Sequence, residues 1–155
     1  MIRERAGSDL VGCVAVLCAV HERDGYPVNW PVDPVRWLNP PELMCAWVAV
    51  ASDGAVCGHV AVHRGAGGGA ELGRLFVGPA ARRRSVARDL VRVVRDWAFQ
   101  RRYGLSLTVT EHSGRSAAVA FYEASGWTYS HTSDADWTGP AGEPVRLRHY
   151  TAGER

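Results

Sequence analysis

Valine-rich runs in which apolar residues alternate with small or polar ones occupy Met44 to Ala51 and Ala55 to Arg64, on either side of Ser52-Asp53-Gly54. A two-residue period around a short glycine-containing turn predicts a β-hairpin. Ile2 to Arg5 makes a short first strand, and Ser8 offers an N-cap for a helix that places Leu10, Val14, Leu17 and His21 at helical spacing and ends near Gly25. Tyr26-Pro27-Val28-Asn29-Trp30-Pro31 cannot continue it, whereas Asp33 followed by Pro34 is a helix start, carried through Trp37 and stopped before Pro40-Pro41. Gly65 to Ala70 is a flexible connection to a strand over Glu71 to Val77, which Gly78-Pro79 breaks. The next helix gathers Val86, Leu90, Val93, Val94 and Trp97 on one side, leaves Arg84, Arg88, Arg92 and Arg95 largely off that stripe, and ends at Gly104. Leu105 to Thr110 is a β-branched strand. Ser113 or Ser116 caps a helix with an apolar stripe of Ala117, Ala120, Phe121 and Ala124, closed by Gly126. Trp127 to His131 and Pro144 to Tyr150 are the last strands, joined by a polar loop holding Trp137. The predicted order is β-α-α-β-β-β-α-β-α-β-β.

The 155 residues have the size of one domain spanning 1–155, with no repeat and no low-complexity tail. A net charge of +2 speaks against a nucleic-acid partner, although every positive side chain is arginine and none is lysine. Guanidinium groups suit phosphate and carboxylate, but genomic base composition also yields such a bias. The N-terminus is charged where a signal peptide needs an apolar core, and no apolar run approaches the roughly eighteen residues of a membrane span, so a soluble, cytoplasmic protein without membrane association is expected. Cys13, Cys18, Cys45 and Cys57 lack C-x-x-C spacing and sit in apolar runs, which reads as small core residues rather than metal ligands or disulfides.

Two segments carry chemistry beyond the pattern. Leu72 to Leu90 runs Leu-Gly-Arg-Leu-Phe-Val-Gly-Pro-Ala-Ala-Arg-Arg-Arg-Ser-Val-Ala-Arg-Asp-Leu, and Ala117 to Trp127 runs Ala-Ala-Val-Ala-Phe-Tyr-Glu-Ala-Ser-Gly-Trp. With the element order, these resemble the GNAT superfamily of N-acetyltransferases over nearly the whole chain. The resemblance implies an α/β (α+β) fold with one mixed, mostly antiparallel sheet of about six to seven strands and about four helices. It also implies acetyl-CoA as acyl donor, with no metal. The family's loop, Arg or Gln, two residues, Gly, one residue, then Gly or Ala, is here Arg82-Arg83-Arg84-Ser85-Val86-Ala87, with Ser85 in place of the first glycine. A strand turning directly into a helix leaves backbone N–H groups unpaired at the positive end of the helix dipole, where a pyrophosphate satisfies them. Small residues at 85 and 87 allow the approach, and Arg82, Arg83, Arg84 or Arg88 add charge-assisted bonds. The competing reading of these arginines is a solvated face of an amphipathic helix. Arg115 stands where relatives usually have asparagine, a contact to coenzyme A or the neighbouring strand. Phe121 is implied to pack along the pantetheine arm.

Acetyl transfer needs a neutral amine, stabilisation of the oxyanion and a proton for the departing thiolate. The resemblance implies that a backbone N–H among Leu75, Phe76 and Val77 polarises the thioester carbonyl, and that Tyr122 is the general acid. Tyr122 is otherwise a core tyrosine. Glu71, at the start of the approaching strand, is the first candidate base, with Glu111 and His112 at the end of the next strand as the second; exposed strand-end or capping residues are the plain alternative. The resemblance implies an acceptor pocket framed by the first two helices and their loop, where Asp24 or Glu22 can hold a cationic amine and Tyr26, Trp30 and Trp37 can form apolar or cation–π walls. The same aromatics could instead staple the loop to the core.

The expected activity is acetylation of a primary amine on a small molecule, by direct attack in a ternary complex. The alternatives are acetylation of a protein amine, which needs an open groove, and a non-catalytic domain that binds or senses acyl-CoA. Exposed aromatics near the C-terminal strands are compatible with a homodimer.

Overall fold

The valine-rich runs fold as the hairpin their alternation predicts, and the strands around them extend it into one sheet. The computed structural model describes residues 1–82, 85–111 and 117–153. Their elements are β1 (Ile2–Glu4), α1 (Leu10–Asp24), α2 (Pro34–Leu38), β2 (Leu43–Val50), β3 (Val56–Arg64), β4 (Ala70–Val77), α3 (Val86–Gln100), β5 (Leu105–Glu111), α4 (Ala117–Ala124), β6 (Trp127–Thr138) and β7 (Pro144–Ala152). This is the expected order. The strands form a seven-stranded sheet in the order β1-β2-β3-β4-β5-β7-β6, antiparallel throughout except for the parallel pair β4 and β5.

Alternation sends the two faces of the sheet into two cores. Trp47, Val60, Val62, Leu72, Leu107 and Val109 face Leu90, Val91, Val94 and Ala98 of α3 and Val119 and Tyr122 of α4. Val48 and Phe76 point the other way, toward Cys13, Leu17 and Val20 of α1 and Leu38 of α2. The cap residues act as predicted at two ends: Gly25 takes a left-handed φ of 74° after α1, and Asp33 accepts the Arg36 N–H at 3.2 Å before α2.

Five local expectations need correction. Ser8 lies inside a short 3₁₀ turn, and the turn is closed by the Asp9 carboxylate, which accepts the Ala6 N–H at 2.7 Å. Arg102, not Gly104, supplies the left-handed residue after α3, with φ 59°, because the Tyr103 N–H already reaches back to the Ala98 carbonyl at 2.9 Å. In α4 the buried pair is Val119 and Tyr122, and Ala117, Ala120 and Ala124 face solvent; the larger side chains win the core over the alanine stripe. The segment read as a polar loop after His131 continues as strand to Thr138, since β7 supplies partners as far as the Thr138 and Pro144 rung. Of the free cysteines only Cys13 is buried; Cys45 and Cys57 are half-buried and Cys18 is exposed, one position off the buried Leu17. Among the described residues no helix is long and apolar enough to cross a membrane.

Candidate active site

The parallel pair at the centre of the sheet is short. Its rungs are Ala70 with Leu105, Glu71 with Ser106 and Leu72 with Leu107, and there it stops. Beyond, β4 continues to Val77 alongside β3, and β5 continues to Glu111 alongside β7. The two strands therefore part in mid-sheet, leaving backbone groups of each without a ladder partner across the opening.

A β-bulge re-aims β4 at this point. His59 pairs with Phe76 and Ala61 with Gly73, so β4 spends one residue more than β3, and Arg74 sits in the bulge at a left-handed φ of 53°. Side-chain parity changes across it. Leu72, Leu75 and Val77 all belong to the α3 side, while Phe76 is buried on the α1 side. The bulge is pinned by His59, which is fully buried and donates from Nδ1 to the Arg74 carbonyl at 2.9 Å. A carbonyl can only accept, so Nε2 of the ring accepts from Nη1 of Arg5 at 3.0 Å. Burial pushes His59 down to about 4, so it holds this neutral tautomer at physiological pH. Its ring stacks on Phe76 with centroids 5.0 Å apart.

On the α1 side of the parting lie Glu71, His63, Arg74, Trp37 and Tyr26. Burial raises the Glu71 carboxyl above its ordinary value, against the positive charge of Arg74 and a hydrogen bond to Thr108. His63, cross-strand neighbour of Glu71, is held below its ordinary value by burial and then by Arg74, and its buried Nε2 has no hydrogen-bond partner. Tyr26 meets Trp37 edge to face at 6.2 Å, and burial pushes its hydroxyl up to about 12.

Tyr122 approaches from the α3 side. It is buried among Phe121, Trp127 and Tyr150, and burial raises its pKa far above the ordinary tyrosine value, with the charge of Tyr26 adding to the rise. The helix that carries Tyr122 is tied to the sheet by Glu123, which accepts from the Tyr150 hydroxyl at 2.7 Å and pairs with Arg148 at 3.3 Å.

At the outer end of the parting, Val77 leads through Gly78 and the Pro79–Ala81 turn toward α3. Ser85 is its N-cap residue at φ 62°, a left-handed conformation that suits glycine better. The first described bond of the helical ladder runs from the Asp89 N–H to the Ser85 carbonyl at 3.0 Å, and the first-turn amides of Val86 and Ala87 are at the anion-attracting end. The helix start lies tight on the sheet: a Cβ at Gly58 would come within 3.2 Å of Val86 and Leu90. Arg82 donates to the Val77 carbonyl at 3.3 Å and forms an ion pair with Asp24. Arg88 and Phe121 line a cleft of about 350 Å³ between α3 and α4, together with Val91, Arg92, Arg95, Asp96 and Ser125.

The structure thus gathers Glu71, Tyr26 and Trp37 about Arg74 on the α1 side of β4, buries Tyr122 against Trp127 and Tyr150 on the α3 side, and sets Ser85, Val86 and Ala87 at the start of α3 with Arg88 in the adjoining cleft. It joins Asp24 to Arg82, so neither is a free charge. Trp30 is packed on His21 at 5.3 Å, at the solvent margin, and Glu22 lies exposed on α1. Glu111 stands at the far end of β5, paired across the sheet with Arg146. Arg83, Arg84, His112 and Arg115 lie outside the described residues, as do the capping candidates Ser113 and Ser116. Sequence reasoning missed His59, His63 and Arg74. A glycine within a strand, Gly73, and the unbroken apolar run Leu75-Phe76-Val77 are the signals that could have exposed the bulge.

A mixed sheet parted between two parallel strands, with a helix start at its mouth and polar side chains on both flanks, defines the acetyltransferase class. The chain belongs to the Acetyltransferase (GNAT) family, whose model matches residues 10–127. No curated protein sequence matches it. Its fold is similar to that of a ribosomal-protein-alanine N-acetyltransferase from Brucella melitensis (22% identity, 97% of this chain and 98% of the other, TM-score 0.74). It is also similar to a GCN5-related N-acetyltransferase from Kribbella flavida (22% identity, 99% and 97%, TM-score 0.70) and to an aminoglycoside 6'-N-acetyltransferase complexed with coenzyme A (17% identity, 100% and 98%, TM-score 0.74).

Proposed function

We propose that this single-domain chain transfers an acetyl group from acetyl-CoA to a primary amine of a small molecule, by direct attack in a ternary complex. The observation that carries the reading is the parting of β4 from β5 after Leu72 and Leu107, with Glu71 one residue before it on β4 and the start of α3 beyond the end of that strand. The residues present fit coenzyme A: unpaired strand edges for the amides of a pantetheine arm, the start of α3 for a pyrophosphate, and Arg88 with Phe121 in the adjoining cleft for the nucleotide end. Acetyl-CoA supplies an activated thioester carbonyl.

Glu71, with its carboxyl raised toward neutrality by burial, takes the proton of the acceptor ammonium, directly or through water. The backbone N–H groups of Leu75 to Val77, turned by the bulge at Arg74, stabilise the oxyanion that forms when the amine nitrogen bonds to the carbonyl carbon. Tyr122 keeps its own proton and donates a hydrogen bond to the sulfur as the carbon–sulfur bond breaks; the proton released by the amine leaves the thiol neutral. A small acceptor is favoured over a protein because the end of α1 and the loop after it are tied down at two places, which restricts an open groove. Asn29 donates to the Thr138 carbonyl at 2.9 Å, and Asp24 pairs with Arg82.

Thiol release from acetyl-CoA, followed across a panel of small amines and N-terminal peptides, tests this reading. Stimulation by one class of small amine is expected. Tight coenzyme A binding without release by any amine would leave the non-catalytic, acyl-CoA-sensing reading.

A further inference from the structure

Arg74 is the one residue on the acceptor side of β4 whose charge the proposed chemistry does not use. Its guanidinium carbon lies 3.9 Å from the centroid of the Trp37 ring, and Nε donates to the Trp37 carbonyl at 3.3 Å. The two terminal nitrogens make no hydrogen bond and no ion pair with any described residue. Arg3, Arg82 and Arg148 differ, each meeting a carboxylate, of Asp9, Asp24 and Glu123 respectively. The carboxylates of Glu42 and Glu71 act on Arg74 only through space. A half-buried guanidinium with its fork unengaged is an unbalanced arrangement, and the anion that balances it gains a bidentate, charge-assisted contact.

The fork is also preorganised. Its backbone is fixed in the bulge by His59, and its guanidinium is held on the Trp37 ring and carbonyl, so little side-chain freedom remains to be lost on binding. Glu71 lies on the same face of β4, before the bulge. One face thus offers a carboxylate for an ammonium and, beside it, a guanidinium for an acid. A polyamine would set its second cation against Arg74 and be repelled.

We infer that the Arg74 guanidinium, braced on Trp37, binds a carboxylate carried by the acceptor, which makes the substrate an amino acid or a comparable amine bearing an acid group. This rests on the reading of the chain as an amine acetyltransferase, and the test separates the two. Full-length protein saturated with coenzyme A is titrated calorimetrically with a panel of L-amino acids, each beside its decarboxylated amine, such as L-phenylalanine with 2-phenylethylamine and L-leucine with 3-methylbutylamine. Thiol release from acetyl-CoA is measured on the same panel. The acid-bearing member of at least one pair binds roughly 10- to 100-fold tighter, Arg74→Gln collapses that ratio toward one, and Arg74→Lys keeps part of it. Equal affinities within every pair, no binding by any acid-bearing member, or an Arg74→Gln protein that still discriminates overturns the inference. Should Arg74→Gln not fold, as judged by thermal unfolding, the wild-type ratio decides alone. Selective binding of acids without turnover refutes the acetyltransferase reading and leaves the carboxylate site; turnover of decarboxylated amines as efficient as that of the acids does the reverse.

Discussion

Beneath α3 and α4 the sheet presents Trp47, Val60, Val62, Leu72, Leu107 and Val109, an apolar face filled by apolar helices. Beneath α1 and α2 the same strands present His59, His63, Glu71 and Arg74 around a smaller cluster of Val48 and Phe76. The first face is dominated by aliphatic groups that can collapse on one another, with the buried Trp127 Nε1 among the few polar atoms in its cluster that want a partner. Each polar group of the second must find one, and His59 does so through Arg5 and the Arg74 carbonyl, whereas His63 Nε2 and the Arg74 fork do not. Strands that bury polar groups unevenly give up stability to keep a chemically competent surface. Stability is therefore expected to respond mainly to the α3 face and chemistry to the α1 face.

The largest effect expected is at Glu71. Glu71→Gln should lower kcat by roughly 10²- to 10⁴-fold and remove the acidic limb of the pH–rate profile, which in the wild type lies above the ordinary glutamate range because burial raises the carboxyl. The same shift fixes the sign of a stability change. A carboxyl with a raised folded-state pKa contributes stability that is complete below its unfolded value, about 4.3, and is lost as pH rises through the folded value. Glu71→Gln is neutral at every pH, so it should unfold at a higher temperature than wild type at pH 7, with the gap closing as the solution is acidified. A variant both less active and less stable at pH 7 would break the proposed division between the faces.

Leu90, fully buried in the apolar face, probes the opposite side. Leu90→Ala should cost about 2–5 kcal/mol in denaturant unfolding while leaving the preference among acceptors as it is in the wild type. A changed acceptor preference would show that the two faces are coupled. Tyr122 is packed in the apolar face yet carries the hydroxyl to which the proposed chemistry assigns a role. Tyr122→Phe should reduce kcat by roughly 10- to 100-fold and leave the coenzyme A dissociation constant within about twofold, given that only a hydroxyl is removed. Equal turnover would reduce Tyr122 to a packing residue.

How far the sequence revealed this arrangement depended on the range of the forces involved. The hairpin, the Gly25 stop, the Asp33-Pro34 start and the strand, turn and helix that follow one another from Glu71 are written in neighbouring residues, and they formed where the pattern placed them, the end of that helix apart. The family, and with it the position of Tyr122, Glu71 and the helix start at Val86, came from motif and order together. What escaped was decided by distant partners. The α4 face was chosen by the sheet it packs on, β6 was lengthened by the rungs β7 supplies, and Arg74 was turned by a bulge held from β3 and from Arg5 on the first segment. Neither a buried histidine nor an unpaired arginine announces itself in a one-dimensional pattern.

The smallest effect expected concerns the helix start. Ser85 adopts a left-handed φ that costs a non-glycine residue about 1–2 kcal/mol. Ser85→Gly should raise the unfolding free energy by up to about 1 kcal/mol, with glycine's greater freedom in the unfolded chain offsetting part of the gain, and should tighten coenzyme A severalfold by calorimetry. A weaker coenzyme complex would mean that the serine hydroxyl itself engages the phosphate.

The account turns on the parting of β4 from β5 being the place where the coenzyme enters, and a crystal structure with coenzyme A bound tests that most directly. The pantetheine arm should lie between residues 73–77 of β4 and residues 108–111 of β5, with its sulfur within hydrogen-bonding reach of the Tyr122 hydroxyl and its pyrophosphate on the amides at the start of α3. A coenzyme confined to the outer cleft between α3 and α4, with β4 and β5 parted but empty, would contradict it.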